Sequence, residues 1–288
     1  MSNAGIGPAP AVRRTAEREG RVSGGVGEVI ADIWRHRFAM RNLIAKDFRI
    51  RYRNMSLGVF WSVLNPLVML GILIMVFTVV YPQSGQPYFP ISVLLGLVSY
   101  NFFTLCIPAA TISVIENAPL VKKVAFPRQI LPISVVLSQS IQVMVQLGLV
   151  AIFLLLFRVP LTAKLLLAPL IVGVLLLFVV GVGLLCSALN VVFRDTRYIV
   201  ESMLTVLFWL SPVFYPLSIV HEKFPVWLFG IYILNPLAGC IEALRRVILQ
   251  GLYPDMVSLA VAAAVSIVTL AAGFSLFTRL QRRFADLV

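Results

Sequence analysis

Three groups of side chains in this sequence have the types and spacing to do chemistry. Glu242, Arg245 and Arg246 stand at i, i+3 and i+4, so on a helix a carboxylate and two guanidinium groups share one face. Such a face either grips a phosphate-bearing ligand or holds a structural ion pair, and spacing alone leaves both open. Lys122, Lys123 and Arg128 fall in a stretch, Glu116 to Pro132, that prolines at 119, 127 and 132 cut into pieces of one or two turns. A short basic segment of this kind presents its lysines and an exposed Phe126 to a soluble partner, or else serves only to fix topology. Phe60, Trp61, Tyr100, Phe208, Trp209 and Tyr215 offer flat faces on which sugar rings stack, against the alternative of packing between helices or in an interfacial belt. A smaller cluster, Arg194, Asp195, Arg197 and Glu201, either relays partner motion into the helix that follows or caps two helix ends at the surface.

Other chemistry is missing from the sequence. His36 and His221 have no ligand-like companions, and Cys106, Cys186 and Cys240 lie far apart without a CxxC pair, so neither a metal site nor redox chemistry is expected. No lysine follows a glycine as GxxxxGK[ST] requires, so this chain is not expected to cradle a nucleotide; any ATP and Mg would be bound by another subunit. The centres of the apolar runs carry no Asp, Glu, Lys, Arg or His, which argues against an ion-driven carrier.

The elements that must position these groups are apolar helices. Of 288 residues 60% are hydrophobic and 12% charged, against about 45–50% and about 25% in soluble domains, and the mean hydropathy is +0.96. The composition excludes an ordinary soluble domain and implies an all-α integral membrane protein. Its net charge of +12 would suggest nucleic acid in a soluble chain, but the basic residues crowd the N-terminal region and the ends of apolar runs, which suits anionic lipid and topology. Residues 1–27, rich in Gly, Ala, Pro, Arg and Glu, read as a disordered cytoplasmic tail. Residues 28–54 read as an amphipathic interface helix, with a break near Arg37 because Arg37 and Arg41 interrupt its apolar face. No signal-peptide core is visible in residues 1–54, leaving targeting to the first span.

Residues 55–288 make the membrane domain. Charge-free runs predict six transmembrane helices over about 57–81, 89–115, 129–157, 165–193, 199–220 and 256–278, with Pro66 and Pro108 kinking the first two. Residues 224–252, divided by Asn235-Pro236, read as an external re-entrant helical hairpin between helices five and six. With this count both termini are cytoplasmic. Eleven Lys and Arg precede the first span, three follow the second, two the fourth and three the sixth, which puts 19 inside against 5 outside.

The string Asn117 to Pro132 (NAPLVKKVAFPRQILP), Phe193-Arg194-Asp195, Ser211 to Pro216 (SPVFYP) and Asn235-Pro236-Leu237 together resemble the ABC-2 type permeases, and more narrowly their polysaccharide and polyol phosphate export branch. The resemblance runs from about Glu28 to the C-terminus; Gln129 departs from the Glu expected there. It implies a homodimer with one cytoplasmic ABC ATPase subunit under each copy. Trp34 and Phe38 of the interface helix, and Asn117, Leu120, Lys122, Lys123, Phe126 and Arg128, would form the ATPase interface. The aromatics named above would line the translocation pathway, and Glu242, Arg245 and Arg246 would lie at its exit. The cargo implied is a lipid-linked glycan, as a polyprenyl diphosphate carrier or a teichoic-acid-like polymer, exported across a bacterial inner or plasma membrane. An ABC-2 exporter of hydrophobic drugs or lipids, and a membrane enzyme or scaffold without transport, are the alternatives.

Overall fold

The computed structural model describes residues 35–53, 60–75, 88–123 and 126–287, and among these every regular element is helical. The tail 1–27, Trp34 and the ends of the expected first span lie outside the described residues. The helices are α1 (Arg37–Tyr52), α2 (Phe60–Met75), α3 (Phe89–Glu116), α4 (Ala118–Lys123), α5 (Ile130–Leu156), α6 (Ala168–Val192), α7 (Thr196–Leu210), α8 (Leu217–Lys223), α9 (Val226–Ile233), α10 (Pro236–Ile248), α11 (Met256–Leu280) and α12 (Phe284–Leu287). A 3-10 turn, Ala163–Leu167, leads into α6, and another, Gln281–Arg283, joins α11 to α12.

Four segments are long and apolar enough to cross a membrane: Phe89–Glu116, Ile130–Leu156, Ala163–Val192 and Met256–Arg283. Local chemistry sets their starts. Pro90 sits in the first turn of α3 and Pro169 in that of α6, where a missing N–H costs nothing. Asp255 caps α11 by accepting from the Ser258 amide at 3.1 Å, and the Ser258 hydroxyl, donating to the same carboxylate, is the main cause that holds its carboxyl below the usual carboxylate range. Asn235 caps α10 in the same way through the Leu237 amide.

α3 is the most buried of the four spans and runs through the centre, against α5, α6, α7 and α10. α6 and α11 form the closest pair. A Cβ on Gly273 would stand 2.4 Å from the Gly181 carbonyl oxygen, and one on Gly181 2.6 Å from the Leu270 nitrogen, so only glycine permits the approach. The interior falls into a large cluster around α3 and a smaller one at the end of the bundle where α1, α4 and α12 lie.

One expectation changes. The fifth span, expected as 199–220, is broken: α7 stops at Leu210, about 22 Å long by its rise per residue, and α8 begins only at Leu217. Pro212 disfavours helix at Ser211 and supplies no N–H, so the chain leaves the helix there. Of the expected interface helix, α1 begins at Arg37, with His36 outside helical dihedrals at φ −98°, ψ 18°, while 28–34 lie outside the described residues.

Candidate functional site

At one end of the bundle, α1, α4 and the turn after α11 make a platform. α4 presents an outward face on which Pro119 and Lys122 are exposed, while Val121 on its other side is buried with Val114, Leu131, Phe277 and Phe284. Leu120 is half-buried; the side chain of Lys123 is outside the described set. Asn117, which ends α3, donates to the Ser113 carbonyl at 2.8 Å and accepts from Lys46 Nζ of α1 at 2.9 Å. Phe38 on α1 is 74% exposed, the kind of apolar projection a partner or a membrane surface would cover. Phe126 corrects the expectation of an exposed aromatic: it is half-buried against the platform's own core. Arg128 likewise turns inward, donating from Nη1 to the Gln281 carbonyl.

Sequence reasoning missed the anchor of α1. Arg51 donates from Nη1 to Oε1 of Gln139 and, at 3.1 Å, to that of Gln142 on α5. Burial pushes the Asp47 carboxyl up, against the opposing pull of Arg51 and Lys46. Glutamines at 139, 142 and 146 on one face of an apolar helix were the available signal.

At the opposite end, α10 and the α7–α8 break interlock. Arg245 is 4% exposed. Its Nε and Nη2 donate to the Ser92 carbonyl, each at 3.2 Å; Nη2 also donates to Val213 O at 2.6 Å and Nη1 to Tyr215 O at 2.9 Å. Glu242 stands 3.9 Å from Nη1 and accepts from the Leu217 amide at the start of α8. One guanidinium thus satisfies carbonyls that the broken helix leaves orphaned. Gly96 lets the loop close in, since a Cβ there would meet Val213 O at 2.6 Å. Of the two open readings of the Glu242–Arg245–Arg246 face, the geometry at Arg245 supports the structural one. Arg246 is half-buried.

Around that break the aromatics gather. Tyr100 is only 5% exposed, donates to the Leu204 carbonyl and packs 5.1 Å from the Phe208 ring, so it is enclosed between α3 and α7 and presents no face to a pathway in this chain. Phe208 meets Trp209 and Phe214 edge-on at 5.4 and 5.3 Å. Trp209 is 68% exposed. Tyr215 donates to the Trp209 carbonyl at 3.0 Å and sits 3.2 Å from the Tyr232 hydroxyl. Phe60 and Trp61 are exposed on α2, which packs on α3 and α5, and do not join this group. On α7, Arg197 and Glu201 pair at 3.1 Å in the open, while Arg194 and Asp195 are exposed.

Apolar helices of spanning length, a basic platform at one end and a polar interlock at the other define a multi-pass helical membrane protein. The chain belongs to the ABC-2 type transporter family, whose model matches residues 39–249. It is 30% identical over 258 residues to an O-antigen export system permease protein of Myxococcus xanthus, covering 90% of this chain and 98% of that one. A protein of the same name from Klebsiella pneumoniae is 29% identical over 84% of this chain and 92% of its own. The polysialic acid transport protein KpsM of Escherichia coli is 27% identical, over 82% and 90%.

Proposed function

We propose that this chain is the membrane subunit of an ATP-driven exporter that moves a lipid-linked polysaccharide out of the bacterial cytoplasm. The names of its relatives, O-antigen export and polysialic acid transport, support the substrate class. In this reading α2 and α7 complete six spans with the four long helices, α9 and α10 dip in from outside, and both termini are cytoplasmic. Two copies face each other, and an ATPase subunit, holding ATP and Mg, docks under the platform of each.

The observation that carries the reading is the exposed face of α7. Arg197, Glu201, Thr205 and Trp209 recur every fourth residue on one uncovered stripe. Lipid is a poor neighbour for such a stripe. A wet pathway between two copies is a good one. Polar groups there solvate a moving glycan, and Trp209 at the end of the stripe stacks on its rings with about 1 kcal/mol per contact, weak enough to be exchanged ring by ring. ATP-driven motion of α1 and α4 would part α2 and α7 of the two copies.

Charge reversal of Lys122 and Lys123 to Glu tests the docking. Membrane insertion persists, coupled ATPase activity and export are lost, and lipid-linked glycan accumulates inside the cell. Unchanged export would reduce the basic segment to a topology determinant, and accumulation of a different cargo would remove the glycan assignment. Trp209→Ala is expected to lower glycan-stimulated turnover while basal ATPase activity is kept. A packing role predicts instead a fall in folded protein, read as a lower melting temperature.

A further inference from the structure

We infer that the turn following α11, Gln281–Leu287, is a working part of the coupling platform, with Phe284 as the positioning residue that locks α4 to α11. The inference rests on the exporter reading above for its consequence, but its geometry is independent of it. Phe284 is wholly buried. Its ring stands 5.2 Å from that of Phe277, edge to face at 84°, and both belong to the same cluster as Val121 of α4. The short α12 that carries Phe284 packs on α4 and α6. Met40 and Leu43 of α1 and Phe126 pack on the cluster from outside.

Polar contacts repeat the link a few residues away. Arg128, between α4 and α5, donates to the Gln281 carbonyl, and Gln129 Nε2 reaches the Thr278 hydroxyl at 3.4 Å. Gln129 Oε1 is buried without a partner among the described residues, so the contact is made although one of the amide's atoms stays unsatisfied. Phe284 and Arg128 therefore tie α4 and the segment after it to the end of α11.

A close-packed cluster is nearly incompressible, so a force on the Lys122 face of α4 displaces Phe284 and Phe277 with it rather than being absorbed. Phe277 belongs to α11, and α11 meets α6 through Gly273 and Gly181 with backbone against backbone. The platform thus carries the α6–α11 pair along as one body. Phe284 touches neither ATPase nor cargo in this scheme; it sets where α4 stands.

The test uses the full chain in complex with its ATPase, in proteoliposomes, and has two arms. The first needs no cargo. Spin labels at the exposed positions Pro119 and Arg282, introduced as cysteines into chains diluted with unlabelled copies, give a single narrow intrachain distance distribution in the otherwise unaltered protein and with Phe284→Leu, and a broad one with Phe284→Ala. The second arm counts ATP hydrolysed per glycan exported. Phe284→Ala raises that ratio about tenfold at equal basal hydrolysis, whereas Phe284→Leu leaves it near the starting value. Should Phe284→Ala fail to accumulate, Phe284→Val makes the same comparison with a smaller cavity. Export by Phe284→Ala in proportion to its amount, at an unaltered ATP ratio, overturns the inference, as does an unbroadened distance. A chain that moves no glycan at all removes the exporter reading, and the spin-label arm still decides the clamp.

Discussion

Arg245→Met and Arg245→Lys are both expected to remove nearly all export, by dismantling the α7–α8 break rather than by losing a ligand contact. The guanidinium feeds the carbonyls of Ser92, Val213 and Tyr215 and faces the Glu242 carboxylate. Methionine fills much of the volume but takes the guanidinium from those carbonyls and leaves the carboxylate with the Leu217 amide as its donor, a loss of about 3–5 kcal/mol for breaking a buried pair. Lysine keeps the charge, but a single ammonium cannot reach three carbonyls held by a planar fork. A thermal midpoint lower by about 10 °C in detergent should accompany either change. Arg246→Met, at a half-buried position, is the control and should move the midpoint far less. Phosphate gripping predicts otherwise, since the lysine variant would then retain export at an unaltered midpoint.

The parts of this molecule that were legible from sequence are those governed by bulk apolarity. The four long helices α3, α5, α6 and α11 fall within three residues of the expected 89–115, 129–157, 165–193 and 256–278 because charge ends where the bilayer would, and a run of hydrophobic residues must be helical to satisfy its own backbone. The division at Asn235-Pro236 was equally plain, because Asn caps and Pro starts a helix. What escaped was main-chain bookkeeping. Ser211 to Pro216 is as apolar as its flanks, and two prolines in six residues were a warning, but the donor that makes the break affordable is Arg245, thirty-odd residues on. Arg128 shows the same blindness at the platform: its acceptor is a backbone carbonyl, which leaves no complementary side chain to find. Phe126 and Tyr100 were read as accessible because a sequence shows which residues are aromatic and not which are covered. Phe284, which covers part of the platform, carried no signal of its own.

Gly273→Leu is expected to prevent stable folding, and Gly273→Ala to do much of the same damage. The two glycines are not there for flexibility, since neither has a left-handed backbone; they are there because α6 and α11 touch. At Gly273 the first atom in the way is the carbonyl oxygen of Gly181, 2.4 Å from an added Cβ, with the Leu184 Cβ at 3.2 Å behind it. No side chain can rotate aside, because the obstruction is backbone inside a helix, so the helices must separate along their length. Overpacking ordinarily costs about 1–3 kcal/mol, and a backbone obstruction belongs at the upper end, where about 3 kcal/mol is the expectation for alanine. In a membrane that cost is not offset by burying more apolar area, because lipid already solvates the released surfaces and association depends on close packing. The comparison that isolates packing from glycine's backbone freedom is available within the same helices. A Cβ at Gly173 of α6 or Gly148 of α5 meets nothing within 4 Å, so Gly173→Ala and Gly148→Ala should be neutral or slightly stabilising through helix propensity. Thermal midpoints of the four variants in one detergent settle the matter. If Gly273→Ala melts with Gly173→Ala, the α6–α11 crossing is looser than the structure has it, and motion of the platform would reach α6 by some other path.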